Sequence, residues 1–239
     1  MAEDDDPGKS VTRDEPPPLP LPAPRLPVEV LARRDALPRK PDPVTLTGTL
    51  VTVEPLDLDD DPAGLHAVSN GEAFALEGRS IDEYDPEARV WRYMSGGPFA
   101  TPEALRNWLA AQDAADDGRP FVVRERVTGT PVGVANLIAN QPMHLKIELG
   151  TIWYGPIAQG TGMSREVTRL LLEHVFALGY RRAEWKCDAR NEASRRAAVS
   201  YGFTFEGVQD AHYIIKARSR DTAWYRMLDH EWAALRPTM

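Results

Sequence analysis

Cysteine is nearly missing from this chain: Cys187 is the single one among 239 residues. An intramolecular disulfide is therefore excluded, and so is a metal site of the multi-cysteine kind, which suits a reducing compartment. Long apolar runs are also lacking. No segment approaches the roughly 18 consecutive apolar residues of a membrane span, and the apolar share of 42% and charged share of 27% are ordinary for a soluble domain. A basic surplus is lacking as well. The formal net charge is −8, whereas nucleic-acid binding needs a positive field facing the phosphates. The histidines His66, His144, His174, His212 and His230 have no metal-ligand spacing, so no metal is expected. The opening "MAEDDDPGKS" has neither the cationic start nor the apolar stretch of a secretory signal. A cytoplasmic location is expected, with no nucleic-acid and no membrane partner.

Proline, by contrast, is plentiful between Pro7 and Pro43, as in "PPPLPLPAPRLP", where missing backbone donors obstruct both helix and ladder pairing. A disordered leader is expected over residues 1–45 and a single domain over 46–235. "TLTGTLVTVEPLD" alternates as a strand, and "DDDPAGLHAVSNG" offers an acidic, proline-led helix entry. A Gly/Pro-broken aromatic stretch follows, a loop or short helix over a pocket, then a helix with Thr101 as cap and Pro102 first. Three strand-like segments, "PFVVRERV", "TPVGVANLIAN" and "HLKIELGTIWYG", read as an antiparallel meander. The pattern then gives helix at 162–178, strand at 182–188, helix at 191–201, strand at 202–208 and a last strand over 211–228. The fold class expected is α/β (α+β), a mixed and mostly antiparallel sheet with helices on both faces.

The hexad "QGTGMS", 159–164, opens the helix at 162–178. If Gly160 and Gly162 form the entry, unpaired N–H groups and the helix dipole make an anion site there. The alternative is an ordinary loop that needed glycine. A Walker sequence is excluded, because no Gly-Lys-Ser/Thr follows, and the three-glycine dinucleotide fingerprint is absent.

The hexad, "IELGTIWYGP" before it and "WKCDARNEASRRAAVSYGFTFEGV" after it together resemble the GCN5-related N-acetyltransferases, and within them the RimJ/RimL-like branch. The resemblance extends from "TLTGTLVTVEPLD" to "RSRDTAWYRMLDHEW", about 46–232. That family's cofactor loop reads Gln/Arg-x-x-Gly-x-Gly/Ala; Gln159 and Gly162 match it, and Ser164 departs from it. The resemblance implies a sheet splayed at a cofactor slot and acetyl-CoA as cosubstrate. It also implies an acetyl-CoA-dependent N-acetyltransferase, with direct transfer to a primary amine, either a protein N-terminus or a small molecule such as an aminoacyl nucleotide or aminoglycoside. Gln159, Gly160, Thr161, Gly162, Met163 and Ser164 would hold the pyrophosphate, Leu149 and Ile152 would line the pantetheine strand and supply backbone contacts, and Asn191 would bond the pantetheine or cap the helix that follows. The expected partner is a small-molecule or peptide amine, with a homodimer left open.

Glu148 is placed as general base, since burial raises a carboxyl pKa toward working pH; the alternative is a plain strand glutamate. Seven residues after Asn191, where many such enzymes carry an acidic tyrosine, stands Ala198. The branch suggests Ser194 instead as the proton donor to sulfur; otherwise it is only a first-turn helix residue. Ala198 also motivates a rival class, a non-catalytic acyl-CoA-binding module. Trp91, Tyr93, Phe99 and Trp153 are the candidate substrate-pocket aromatics, against the alternative of core packing. Cys187 reads as a buried, inert thiol.

Overall fold

The computed structural model describes residues 25–236. The part of the expected leader over 1–24 lies outside them. In chain order the elements are α1 (Val28–Ala36), β1 (Leu46–Thr47), β2 (Val51–Pro55), α2 (Asp61–Ala67), β3 (Phe74–Leu76), β4 (Arg79–Ile81) and α3 (Pro102–Asp113). Then come β5 (Arg119–Glu125), β6 (Pro131–Gln141), β7 (Lys146–Tyr154), α4 (Met163–Ala177), β8 (Arg182–Asp188) and α5 (Glu192–Ser200). The chain finishes with β9 (Thr204–Ile215), β10 (Arg218–Leu228) and α6 (Asp229–Leu235).

Eight strands form one sheet in the order β1-β2-β5-β6-β7-β8-β10-β9. All its pairings are antiparallel except β7 with β8. A helix separates those two strands in the chain, and a crossover of that length is what a parallel neighbour requires. Strand alternation then sorts the core. Phe121, Val123 and Leu137 pack with Val167, Leu171 and Val175 of α4 in one cluster, whereas Val122 and Val134 pack with Leu65 of α2 and Leu105 and Leu109 of α3 in another. Helices therefore cover both faces, as the alternation predicts. Thr101 caps α3 by accepting from the Ala104 N–H at 3.2 Å.

Two expectations are corrected. The leader does not run to residue 45 without structure: "VEVLARRDA" contains no proline and forms α1, entered from Pro27. Beyond it Leu37 is buried, and Asn140 Nδ2 donates to the carbonyls of Pro38 and Arg39 at 2.8 and 2.9 Å. Side chains of the domain thus hold this stretch, and its own Arg39 pairs with Asp116 at 2.9 Å. The single strand expected over 211–228 is a hairpin instead, β9 and β10, turning at Lys216 and Ala217 with φ of 47° and 59°. Both are left-handed without glycine, so the usual turn signal is absent.

Candidate active site

β7 and β8 pair only over Lys146 to Glu148 against Arg182 to Glu184, and past that point they part. Glu148 is the last paired residue of β7 and therefore stands at the fork. A cavity of about 140 Å3 fills the opening, lined by Glu148, Gly150, Lys186, Cys187, Ser194 and Arg220 among others. A longer slot of about 300 Å3 continues from it between β7 and α5, lined by Tyr93, Ile152, Tyr154, Gln159, Ser164 and Tyr201.

The Glu148 side chain is almost wholly enclosed; the residue is 1% exposed. Burial pushes its pKa up, while the Lys186 ammonium, 2.8 Å from Oε2, pulls it down. Lys186 belongs to a charge ladder across the paired ends of β7 and β8, where Lys146 also meets Glu184 at 3.1 Å and Arg182 meets it at 2.7 Å. The result is a carboxylate with one cation beside it and an open cavity before it.

A bulge shapes the next residues of β7. Gly150 pairs with Asn136 and Trp153 with Val134, so Thr151 and Ile152 lie opposite Ala135 alone, and Thr151 takes φ 48°. The extra residue reverses the alternation. Ile147 and Leu149 pack in the first core cluster, and Trp153 turns to the second. Leu149 and Ile152 line the opening, as the sequence suggests.

The hexad follows a short turn at Pro156–Ala158. Gly160 and Gly162 have φ of 73° and 90°, and Gly162 is the residue that starts α4. A Cβ at 160 would meet nothing within 4 Å, so these glycines are set by backbone conformation as well as by any ligand's approach. Thr161 Oγ1 donates to the Ala158 carbonyl at 2.6 Å and accepts from the Met163 N–H at 3.2 Å, fixing the loop. Gln159 Nε2 donates to the Tyr154 and Arg89 carbonyls at 3.1 and 3.3 Å. The Ser164 hydroxyl shares a 2.8 Å hydrogen bond with the Tyr201 hydroxyl across the slot.

On α5, Asn191 Oδ1 caps the helix by accepting from the Ser194 N–H at 3.1 Å, and Asn191 borders both the cavity and the slot. Trp185 Nε1 donates to Ser194 Oγ at 3.0 Å. Because that bond uses a lone pair of the oxygen, the hydroxyl proton is left to donate. Ala198 is buried in the core. Burial pushes the Cys187 thiol up, which keeps it protonated despite its place on the cavity wall.

Of the pocket aromatics, Tyr93 borders cavity and slot and donates to the Arg190 carbonyl at 3.1 Å. Trp91 and Phe99 are corrected: they pack edge-to-face at 5.1 Å in the second core and line neither space. Trp91 Nε1 is satisfied by the Ser69 carbonyl at 2.9 Å, and the short π-helix that it ends, Glu87–Trp91, turns it inward. Trp153 borders the slot but is 4% exposed, 4.8 Å from Trp91 between ring centroids. Lys186, Tyr154, Tyr201 and Arg220 were not singled out from the sequence. A lysine on a strand whose neighbours Ala183, Trp185 and Cys187 are apolar was the available cue for Lys186; the others had none.

A model of the acetyltransferase (GNAT) domain matches residues 78–204. The chain belongs to the GNAT acetyltransferases. A GCN5-related N-acetyltransferase from Brucella melitensis is 35% identical with a TM-score of 0.74, covering 84% of this chain and 86% of that one. A probable GNAT-family acetyltransferase from Chromobacterium violaceum is 30% identical with a TM-score of 0.73, over 93% of this chain and 100% of the other. A chimera of the Vibrio cholerae spermidine N-acetyltransferase SpeG with hSSAT, 20% identical at a TM-score of 0.58 over 77% and 99%, shares the fold. No curated protein matches the chain in sequence. This GNAT chain is an acyltransferase. Among its described residues no group of His, Cys, Asp and Glu is arranged to hold a metal ion, and no helix is long and apolar enough to cross a membrane.

Proposed function

We propose that this GNAT enzyme belongs to the RimJ/RimL-like branch and uses acetyl-CoA to acetylate a primary amine directly, on a protein N-terminus or a small molecule such as an aminoacyl nucleotide. The observation that carries the proposal is Glu148, a buried carboxylate at the fork of β7 and β8 with the cavity in front of it. The slot suits the cofactor. The Tyr154 hydroxyl is buried along it with no hydrogen-bond partner, a polar group that the amides of a pantetheine arm would satisfy. The N-terminus of α4, entered through Gly162, offers backbone N–H groups to a pyrophosphate.

Acetyl-CoA supplies the activated acyl group when bound. Glu148 takes the proton from the acceptor ammonium, directly or through water, leaving a neutral amine to attack. Its raised pKa matches that work. Backbone N–H groups between Leu149 and Ile152, set by the bulge, stabilise charge on the carbonyl oxygen. Ser194, held by Trp185, gives a proton to the departing sulfur. With Ser194 and Tyr201 both presenting hydroxyls to the slot, Ala198 no longer argues for a non-catalytic module.

The test is thiol release from acetyl-CoA with an acceptor panel of peptides beginning with Ser, Ala or Thr, aminoacyl adenylates and aminoglycosides. Turnover on at least one amine, abolished in Glu148→Gln with CoA binding retained, is expected. CoA binding without turnover on any amine would remove the catalytic proposal.

A further inference from the structure

A third cavity, of about 320 Å3, adjoins the first and shares Tyr93, Asp188 and Arg220 with it. Its walls present Arg92, Arg190, Lys216, Arg218 and Arg220 against the carboxylate of Asp188. Two of these cations are engaged. Lys216 Nζ lies 2.8 Å from Glu87 Oε2 and donates to the Trp91 carbonyl at 2.8 Å. Arg190 lies 3.3 Å from Asp221 and 3.9 Å from Asp188. Among the described residues Arg92, Arg218 and Arg220 have no carboxylate partner, and Arg220 Nε is buried without a hydrogen-bond acceptor.

Five cations face the one carboxylate of Asp188 across this cavity, and Arg220 also acts on Glu148; a bound anion would relieve the remaining repulsion while accepting the arginines' fork of N–H donors. The local sign is opposite to that of the whole chain, whose net charge is −8. Arg220 borders both spaces, so an anion held on it would be joined to a group lying before Glu148. None of the hexad residues lines this cavity, which separates it from the α4 entrance.

We infer that the acceptor is an amine that also carries an anionic group, a carboxylate or a phosphate, seated on Arg218, Arg220 and Arg92 while its amino group faces Glu148. This inference rests on the N-acetyltransferase proposal above and narrows it, excluding polycationic amines as the preferred acceptors. Lys216, bound to Glu87 and the Trp91 carbonyl, ties the tip of the β9–β10 hairpin over the cavity and fixes the two arginines of β10.

Matched acceptors test it: alanine against alaninamide, O-phosphoethanolamine against ethanolamine, and spermidine as the polycation. The anionic member of a pair should exceed its neutral partner in kcat/KM by about tenfold or more, and the two pairs separate carboxylate from phosphate. Arg218→Gln should erase that preference by raising the acceptor KM about tenfold, with kcat and the acetyl-CoA KM unchanged. Calorimetric titration of the same amines into the full chain saturated with CoA reads the site without turnover. Binding of the anionic amines there, weakened in Arg218→Gln, supports the site even if no amine in the set is acetylated. Preference for alaninamide, ethanolamine or spermidine overturns the inference and leaves the N-acetyltransferase proposal standing. A rise in the acetyl-CoA KM of Arg218→Gln also overturns it, since the cavity would then serve the cofactor. Neither turnover nor anion binding in this set overturns the inference, while the N-acetyltransferase proposal is decided by the wider panel above.

Discussion

A Cβ on Gly150 would lie 2.7 Å from Glu148 Oε1 and 2.4 Å from Cδ1 of Ile138, the cross-strand partner of Glu148, so the glycine two residues along β7 leaves room for both. Residues i and i+2 of a strand share a face, and here one is a carboxylate and the other leaves room for it. Gly150→Ala should therefore misplace Glu148 and lower kcat/KM by about 10- to 100-fold. Steady-state rates at saturating acetyl-CoA, with circular dichroism to confirm folding, check this. An unchanged rate would mean the carboxylate position does not matter to catalysis.

Lys186 sets the protonation of Glu148 from 2.8 Å away. Burial raises the carboxyl pKa and the ammonium opposes it, so Lys186→Gln removes the larger opposing charge and leaves only Arg220 to counter burial and Glu184. Glu148 then stays protonated to a higher pH, and the acid limb of the kcat/KM profile should move alkaline. Activity at neutral pH falls and recovers in base. A limb that stays in place would show that Glu148 is not the titrating base.

Ser194 and Tyr201 divide the hydroxyl chemistry of the slot. Ser194→Ala should lower kcat by about 100-fold with a near-constant acetyl-CoA KM, as expected for a lost general acid. Tyr201→Phe removes the 2.8 Å bond to Ser164 and should raise the acetyl-CoA KM with little change in kcat. The reverse split would assign the acid to Tyr201.

Glu166, in the first turn of α4, accepts from the Thr49 N–H and hydroxyl and from the Leu50 and Val51 N–H groups at 2.6 to 3.0 Å. Burial alone would raise its pKa; these hydrogen bonds outweigh it and hold the carboxyl low. Its stabilisation is thus present above the unfolded carboxyl pKa of about 4.3 and is lost as pH falls through the lower folded value. Glu166→Ala should cost about 2 kcal/mol at neutral pH, a drop of roughly 4–8 °C in Tm. The gap to the parent should close in acid, which thermal unfolding across pH measures. Gly48→Ala should act alike, because its Cβ would sit 2.4 Å from the Glu166 carboxyl carbon.

Gly160 and Gly162 are the remaining test of the hexad. Alanine at either must adopt a left-handed conformation at about 1 kcal/mol or more, so each variant should lose stability and bind CoA more weakly. Titration with CoA and thermal unfolding separate the two losses. In Gly160→Ala the new Cβ meets no protein atom within 4 Å, so any loss of CoA affinity reports the loop conformation or the ligand's approach and not a clash within the protein.

Periodicity made the meander, α3, α4 and β8 legible, because each buries a face whose spacing is written in the chain. The hexad and its neighbours made the family legible. The β9–β10 turn was not, since Lys216 and Ala217 take left-handed φ without glycine. Nor was α1, whose nine residues are free of proline inside a proline-rich stretch. Trp91 and Phe99 were misjudged because an irregular loop can still fold its aromatics into a core, which no local spacing reveals.

By itself, then, the sequence determined the elements from the meander to α5, the glycine entry to α4 and the carboxylate at 148, all of which are local matters of period, cap and residue type. Only the tertiary structure decided what surrounds that carboxylate. Lys186 reaches it because β7 and β8 pair for just three residues before parting, and Arg220 borders its cavity because β10 extends past the end of β8. Strand register across a crossover depends on packing between segments far apart in the chain, and no short stretch of residues encodes it.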